Sequence, residues 1–192
     1  MGNREKLLEA ATAILGLNGY QATSVDDILE AAKVAPSNFY YHFKSKEELA
    51  MEVLEGYFEK SRKQMAPVFM NRSLSASQKL ERLHQAFVDK AASSGCCGGC
   101  PMGNLAQELS DSHPGFRMRL ARHFEECIEA IAAVIDEGVR AGEFREASHP
   151  QSTAYLIFGS IQGLLLLSKS MKRVDPLEQG FRQCLNLLKN KG

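Results

Sequence analysis

The stretch Pro36-Ser37-Asn38-Phe39-Tyr40-Tyr41-His42-Phe43-Lys44-Ser45-Lys46-Glu47-Glu48-Leu49 decides how this 192-residue chain folds. A first helical turn tolerates proline, whose missing N–H has no partner to lose there, so Pro36 opens a short helix running through Phe43. Ser45 stands where an N-cap does, with Glu48 at the capping-box position, and starts a longer helix that continues to about Met65, before Pro67. Toward the N-terminus, Lys33-Val34-Ala35 is a three-residue link. Ahead of it Thr23 or Ser24 caps a helix, since Asp26 and Asp27 each stand three residues after one of them, and Val25, Ile28, Leu29 and Ala32 point inward. The first helix runs from about Arg4 to Leu17, with Leu7, Leu8, Ala11, Ile14 and Leu15 on one face and Gly19 just past its end. Three short helices and a long one, with a tight link between the second and third, make a helix-turn-helix.

Within the third helix Phe39 and Phe43 lie four apart and anchor it on a core. At 100° per residue, Ser37 and Tyr41 then face away, with Asn38, Tyr40 and His42 on the flanks. Such side chains suit a DNA major groove. Asn pairs bidentately with adenine, Ser and Tyr donate to phosphates, and an aromatic ring meets a thymine methyl. Residues 1–63 carry eight Lys/Arg and ten Asp/Glu, a balance that by itself opposes DNA binding. From Ala31 to Lys46, however, Lys33, Lys44 and Lys46 occur with no acid. Lys46 also begins a helix, where free backbone N–H groups favour a phosphate. The competing reading takes Phe39, Tyr40, Tyr41 and Phe43 simply as a packed aromatic helix.

The order of the segment, Thr23-Ser24-Val25-Asp26-Asp27-Ile28 through Ala31-Ala32-Lys33-Val34 to the quoted run, resembles the DNA-binding domain of the TetR/AcrR family of transcriptional regulators. The resemblance covers about residues 4–60 and is carried by Tyr-x-His-Phe-x-Ser-Lys-Glu-x-Leu at 40–49. It implies an all-α fold: a helix-turn-helix domain over 1–62 and a helical ligand-binding and dimerisation domain over 63–192. It also implies DNA contacts from Ser24, Pro36, Ser37, Asn38, Tyr40, Tyr41, His42 and Lys46. The family usually has Gly where Lys33 stands; a turn there often wants a left-handed backbone, which lysine adopts at some cost, and the lysine adds a positive charge near the phosphates.

Beyond Pro67, residues 68–76 read as a loop, and Leu80, Leu83, Phe87 and Ala91 stripe the next helix. Ser94 to Cys100 is glycine- and cysteine-rich. Pro101 opens a helix to about Ser110, Pro114 a long one to Ala141 stopped by Gly142, Pro150 an apolar one to about Lys172, and Pro176 precedes the last, to about Lys189. In the penultimate helix Ile157, Ile161, Leu164, Leu165 and Leu167 are apolar over much of the circumference, and Gly159 and Gly163 permit close approach of another helix. Leu177, Phe181, Cys184, Leu185 and Leu188 stripe the last. TetR-like regulators dimerise through this pair, so a homodimer is expected, with a charge at Leu164 or Leu185 expected to break it.

Hydrophobic residues at 44% and charged residues at 24%, with zero net charge, describe a globular chain that does not coat nucleic acid. No secretory signal forms, because Arg4, Glu5, Lys6 and Glu9 interrupt the N-terminus. Tyr155 to Leu167 is too short to span a bilayer and includes Ser160 and Gln162, so no membrane role and a cytoplasmic location are expected. Five cysteines, an odd number, are not a disulfide framework.

Three of them, Cys96, Cys97 and Cys100, are clustered, with Cys97-Gly98-Gly99-Cys100 forming a CxxC. Gly99-Cys100-Pro101-Met102-Gly103-Asn104-Leu105-Ala106 is similar to a subgroup of the family with Gly-Cys-x-x-Gly-Asn-Leu-Ala here, which accounts for Cys100 but not for Cys96 and Cys97. Three readings stand. A thiol sensor of oxidants or electrophiles uses Cys100 near a helix start, with Cys96 or Cys97 as resolving partner and Lys169 nearby. A metal site joins these thiols to His123 and Cys127, or to His84. Otherwise the residues are structural. A pocket for a small effector is expected near Phe87, Asn104, Phe124, Phe158 and Gln162. No catalytic constellation and no βαβ unit accompany the CxxC, so neither an enzyme nor a bound cofactor or metal is expected. The function so read is a repressor on a palindromic double-stranded operator, released by a small molecule or electrophile. The alternative is a helical thiol- or metal-binding protein without an operator.

Overall fold

The computed structural model describes residues 2–146 and 149–189. Among these are nine helices and no strand: α1 (Asn3–Asn18), α2 (Val25–Ala32), α3 (Pro36–His42), α4 (Lys46–Phe69), α5 (Ala76–Ser93), α6 (Pro101–Leu109), α7 (Pro114–Arg140), α8 (Pro150–Met171) and α9 (Asp175–Leu188). The all-α expectation holds. By packing, the described residues fall into two units, one of residues up to Ser61 with Pro101–Leu120, the other of Arg62–Cys100 with the residues from Ala121 on.

In the first unit the local signals act as their chemistry dictates. Ser24 Oγ accepts the Asp27 N–H at 3.1 Å while the Asp27 carboxylate accepts the Ser24 N–H at 2.7 Å, closing a capping box at the start of α2. These hydrogen bonds, the backbone one first, hold the Asp27 carboxyl below its ordinary range. Lys33 ends α2 in the left-handed conformation at φ 53° and ψ 47°, which lets the Val34 N–H reach back to Leu29 O at 3.2 Å. Pro36 is the first residue of α3, as its missing N–H favours. α1 packs on both α2 and α3, and Leu7, Ala11, Ile28, Phe39, Phe43 and Leu54 fill the core between them. Burying each phenylalanine contributes about 1.5–3 kcal/mol.

One boundary differs from expectation. α4 passes through Pro67 and ends at Phe69, and Met70 N–H closes the last turn on Ala66 O at 2.9 Å. A proline so near an exposed helix end removes one hydrogen bond and leaves room for its ring, so the helix survives it.

In the second unit α9 packs against α8 and α5. The first two N–H groups of α5, at Ala76 and Ser77, donate to the Glu143 carboxylate at 3.1 and 3.0 Å. Burial pushes that carboxyl up, but the hydrogen bonds from Ser77, Ser75 and Ala76 together outweigh it and leave it below its ordinary range. Gly138 is required by contact: a Cβ there would lie 2.2 Å from the Phe144 ring. α8 buries Ala154, Ile157, Ile161, Leu165 and Ser168. By length and composition it is apolar enough to cross a membrane, unlike the shorter Tyr155–Leu167 run read from sequence, and an apolar helix with one buried side meets the same description.

Candidate DNA-binding surface and thiol-lined cavity

Phe39 and Phe43 are both buried and fix α3 by its inner side. Tyr40 and Tyr41 point outward, 65% and 83% exposed. Pro36 and Ser37 are exposed as well, and Asn38 and His42 are half-buried on the flanks. Edge-on ring contacts at 5.2 Å between Phe39 and Tyr40, and at 4.8 Å between Tyr41 and His42, restrict the outer aromatics. Ser24 and Lys33 are exposed at the two ends of α2, although the Ser24 hydroxyl already donates to Asp27 at 2.7 Å.

Lys46 is placed differently from a free phosphate ligand. Its ammonium donates to Tyr20 O at 2.9 Å and Thr23 O at 2.8 Å, and stands 4.1 Å from the centre of the Tyr20 ring. The carbonyls of the α1–α2 turn have no helical donor, so a cation within reach satisfies them and ties α4 to the turn. On the other side of this turn, the Tyr20 and Gln21 N–H groups donate to the Glu108 carboxylate of α6 at 2.9 and 2.6 Å. Glu108 was not singled out by sequence. Only the general need of loop amides, here those of Tyr20 and Gln21 beyond the end of α1, to find an acceptor hinted that one is required there.

In the second unit, the backbone from Gly95 to Gly99 is left-handed at Gly95, Cys96, Gly98 and Gly99. Cys96 at φ 57° is the exception among them, since a side chain there costs about 1–2 kcal/mol. None of the five cysteines is in a disulfide. Cys96 and Cys100 are buried, whereas Cys97 is exposed with the Lys172 ammonium 3.8 Å from its sulfur. Cys100 also influences Cys127. Burial above all, then the neighbouring Cys100 and Glu126, pushes the Cys127 thiol up to about 11, against the pull of Arg62. Cys127 Sγ lies 3.5 Å from His123 Nε2.

A cavity of about 50 Å³ opens behind the loop, with Phe87, Cys96, Cys97, Cys100, Ser168 and Lys169 among its walls. It thus gathers the four residues expected at a thiol sensor, Cys96, Cys97, Cys100 and Lys169. Asn104, expected at the effector pocket, sits on α6 in the first unit. Of the expected pocket residues Phe87 is on the wall. Phe124 and Phe158 instead pack on each other, ring centres 5.4 Å apart, and Gln162 is half-buried on α8, off the wall. No three His, Cys, Asp or Glu side chains converge on a metal position among the described residues. His84 is engaged otherwise, its Nε2–H donating to Leu177 O at 3.3 Å and its ring stacked on Phe181 at 4.8 Å.

Residues 7–53 match the family described as bacterial regulatory proteins, tetR family, and residues 76–184 match the tetracyclin repressor-like C-terminal domain. The chain is 30% identical over 176 residues to the HTH-type transcriptional repressor DhaR of Mycobacterium sp. (strain GP1), covering 92% of this chain and 87% of that one. It is 31% identical over 181 residues to the HTH-type transcriptional regulator LmrA of Bacillus subtilis (strain 168), covering 91% and 90%. The crystal structure of regulatory protein TetR from Rhodobacter sphaeroides superposes with a TM-score of 0.89 at 27% identity, over 96% of this chain and 97% of that one. Fold, outward-facing α3 and these similarities define a helix-turn-helix transcription regulator, which is a DNA-binding protein and not an enzyme. The chain belongs to the TetR family.

Proposed function

We propose that this protein is a cytoplasmic repressor that binds a palindromic operator as a homodimer and lets go when its C-terminal part takes up a small molecule or electrophile. The observation that carries the DNA reading is the rigid presentation of α3, with Phe39 and Phe43 locked in the core and Ser37, Tyr40 and Tyr41 turned out. In this division residues 1–62 read DNA and residues 63–192 sense and dimerise. One recognition helix reaches only a few bases, so two copies are needed for a specific site. Support for pairing comes from α8, whose Tyr155, Leu156, Leu166 and Leu167 are exposed.

Ser24, Lys33, Pro36, Ser37, Asn38, Tyr40, Tyr41 and His42 form the proposed DNA face, while Lys46 acts mainly by holding the turn that α2 starts from. The sensing loop is joined directly to α6 at Pro101, and α6 holds the Tyr20-Gln21 turn through Glu108. A displaced loop would therefore pull on the helix-turn-helix through a carboxylate clamp. Selection from random duplexes by the purified full chain tests the reading. A palindromic consensus is expected, with affinity falling steeply as salt rises. Absence of any preference over random DNA at moderate salt would favour the other reading, a thiol-binding helical protein without an operator.

A further inference from the structure

We propose that the cavity behind the cysteine loop takes a short-chain monocarboxylate, with its charge held by Ser168, Lys169 and Lys90. This deepens the reading of an effector-released repressor and rests on it. The hydroxyl of Ser168 is the first reason. Ser168 is 1% exposed, lines the cavity, and its Oγ has no hydrogen-bond partner. A serine inside a helix ordinarily donates to the carbonyl four residues back, and buried polar groups are nearly always paired. A donor held there without an acceptor fits a ligand that brings one.

The charges of the wall point the same way. Lys90 and Lys169 contribute to it, and no aspartate or glutamate does. Positive charge without a local carboxylate favours an anion, and favours it more in a recess shielded from water. Phe87, Ala91 and Leu165 make the remainder apolar, which suits a hydrocarbon tail and disfavours a bare inorganic anion. Size sets the length. One water needs about 10–15 Å³, so a cavity of about 50 Å³ accommodates a molecule of roughly four or five heavy atoms, an acid of two or three carbons. Ser94 and Cys97, both exposed, stand at the mouth.

Calorimetric titration of the full-length protein at fixed ionic strength, with sodium formate, acetate, propionate, butyrate and hexanoate, sodium nitrate and the neutral isostere propionamide, tests the assignment. Tightest binding is expected at acetate or propionate, with propionamide, nitrate and hexanoate each at least about tenfold weaker, the scale of one hydrogen bond to a charged group. Lys169→Gln should weaken propionate about tenfold and Ser168→Ala about threefold to tenfold. Lys169→Arg should retain binding, and Arg82→Gln, an exposed cation on α5 outside the cavity, should match wild type. Helicity by circular dichroism is read on every variant. The proposal is overturned if propionamide matches propionate, if folded Lys169→Gln binds propionate as wild type does, or if no carboxylate gives heat up to about 10 mM, ten times a Kd of about 1 mM. Operator affinity measured on the same samples separates the layers. Untreated protein that ignores its operator refutes the repressor reading, whereas operator binding without propionate heat refutes the ligand alone.

Discussion

Among the described residues α3 and α8 each expose more than one large apolar side chain, α3 Tyr40 and Tyr41 and α8 Tyr155, Leu156, Leu166 and Leu167 among others, and the two surfaces differ in what water can do for them. Each α3 ring ends in a hydroxyl that stays hydrated until a phosphate or base edge replaces the water, so the surface is stable alone and suited to a polar partner. The α8 leucines have no polar atom to offer. At 100° per residue, residues 155, 156, 159, 163, 166 and 167 fall within an arc of about 120°, opposite the buried Ile157, Ile161 and Leu165. At Gly159 and Gly163 an added Cβ would meet nothing within 4 Å. A contiguous aliphatic stripe with a flat glycine strip along it is a surface that needs covering. One helix is built for a wet, charged partner and the other for a dry one.

The strongest way to break this comparison is a charge on the α8 stripe. Leu156→Glu or Leu166→Glu should weaken self-association by several kcal/mol, because each copy would bury an unpaired carboxylate. Sedimentation should report folded monomers, and operator affinity should collapse. A wild-type dimer at that point would mean that a second copy does not cover the stripe. Leu164 and Leu185, the positions favoured by sequence, make a less selective test. Leu185 is buried within the chain, and Leu164 is half-buried against α9, where a Cβ at Gly180 would lie 2.4 Å from Leu164 Cδ2, so a charge at either should also lower the stability of the protomer itself.

On α3, Tyr41→Ala and Asn38→Ala should each lower operator affinity by about 1–3 kcal/mol, with Asn38→Ala also relaxing base preference. Melting of Tyr41→Ala should stay at the wild-type temperature, as little of that ring is buried. A drop in stability matching the drop in affinity would make α3 a packing helix after all.

The lysines sharpen the picture of the wet surface. Lys33→Ala and Lys44→Ala should each reduce the slope of log affinity against log salt by about 0.9, the signature of one lost phosphate contact. Lys46→Met should instead lower stability by about 1–2 kcal/mol through loss of its hydrogen bonds to Tyr20 and Thr23 while leaving the slope nearly unchanged. An unchanged melting temperature together with a flattened slope would return Lys46 to the phosphates.

The smallest effect is a pH dependence in the second unit. Burial, opposed by the bond to Leu177 O, holds the His84 imidazole below its ordinary 6.5. The unfolded chain therefore binds a proton before the folded one does. Stability from this group is complete above about pH 6.5 and declines as pH falls toward the depressed folded value. His84→Gln should flatten the melting curve between pH 7.5 and about 5.5, and the same decline in the variant would place its origin elsewhere. Losses from Asp27 and Glu143, whose carboxyls are also held low, begin only in the ordinary carboxylate range near pH 4.

Local chemistry alone indicated the helical outline, a cap for α2 at Thr23 or Ser24, the opening of α3 at Pro36 and the outward turn of Tyr41, because each depends on residues within one helical turn. The family was legible for the same reason, in a contiguous run from Tyr40 to Leu49. Tertiary structure decided what pairs across the chain. Lys46 turns to carbonyls 23 and 26 residues away. Glu108 clamps amides 87 and 88 residues away. Cys97, not Cys100, is left open beside Lys172. The periodicity of α8 marked it as apolar over much of its circumference, but periodicity carries no record of which apolar arc meets its own chain, so the contact of half-buried Leu164 with Gly180 and the exposure of Leu156 came only with the packing of α9. Likewise nothing around Ser168 in sequence distinguishes it from an ordinary helical serine; its hydroxyl became informative only once folding had buried it beside two lysines and left it without an acceptor.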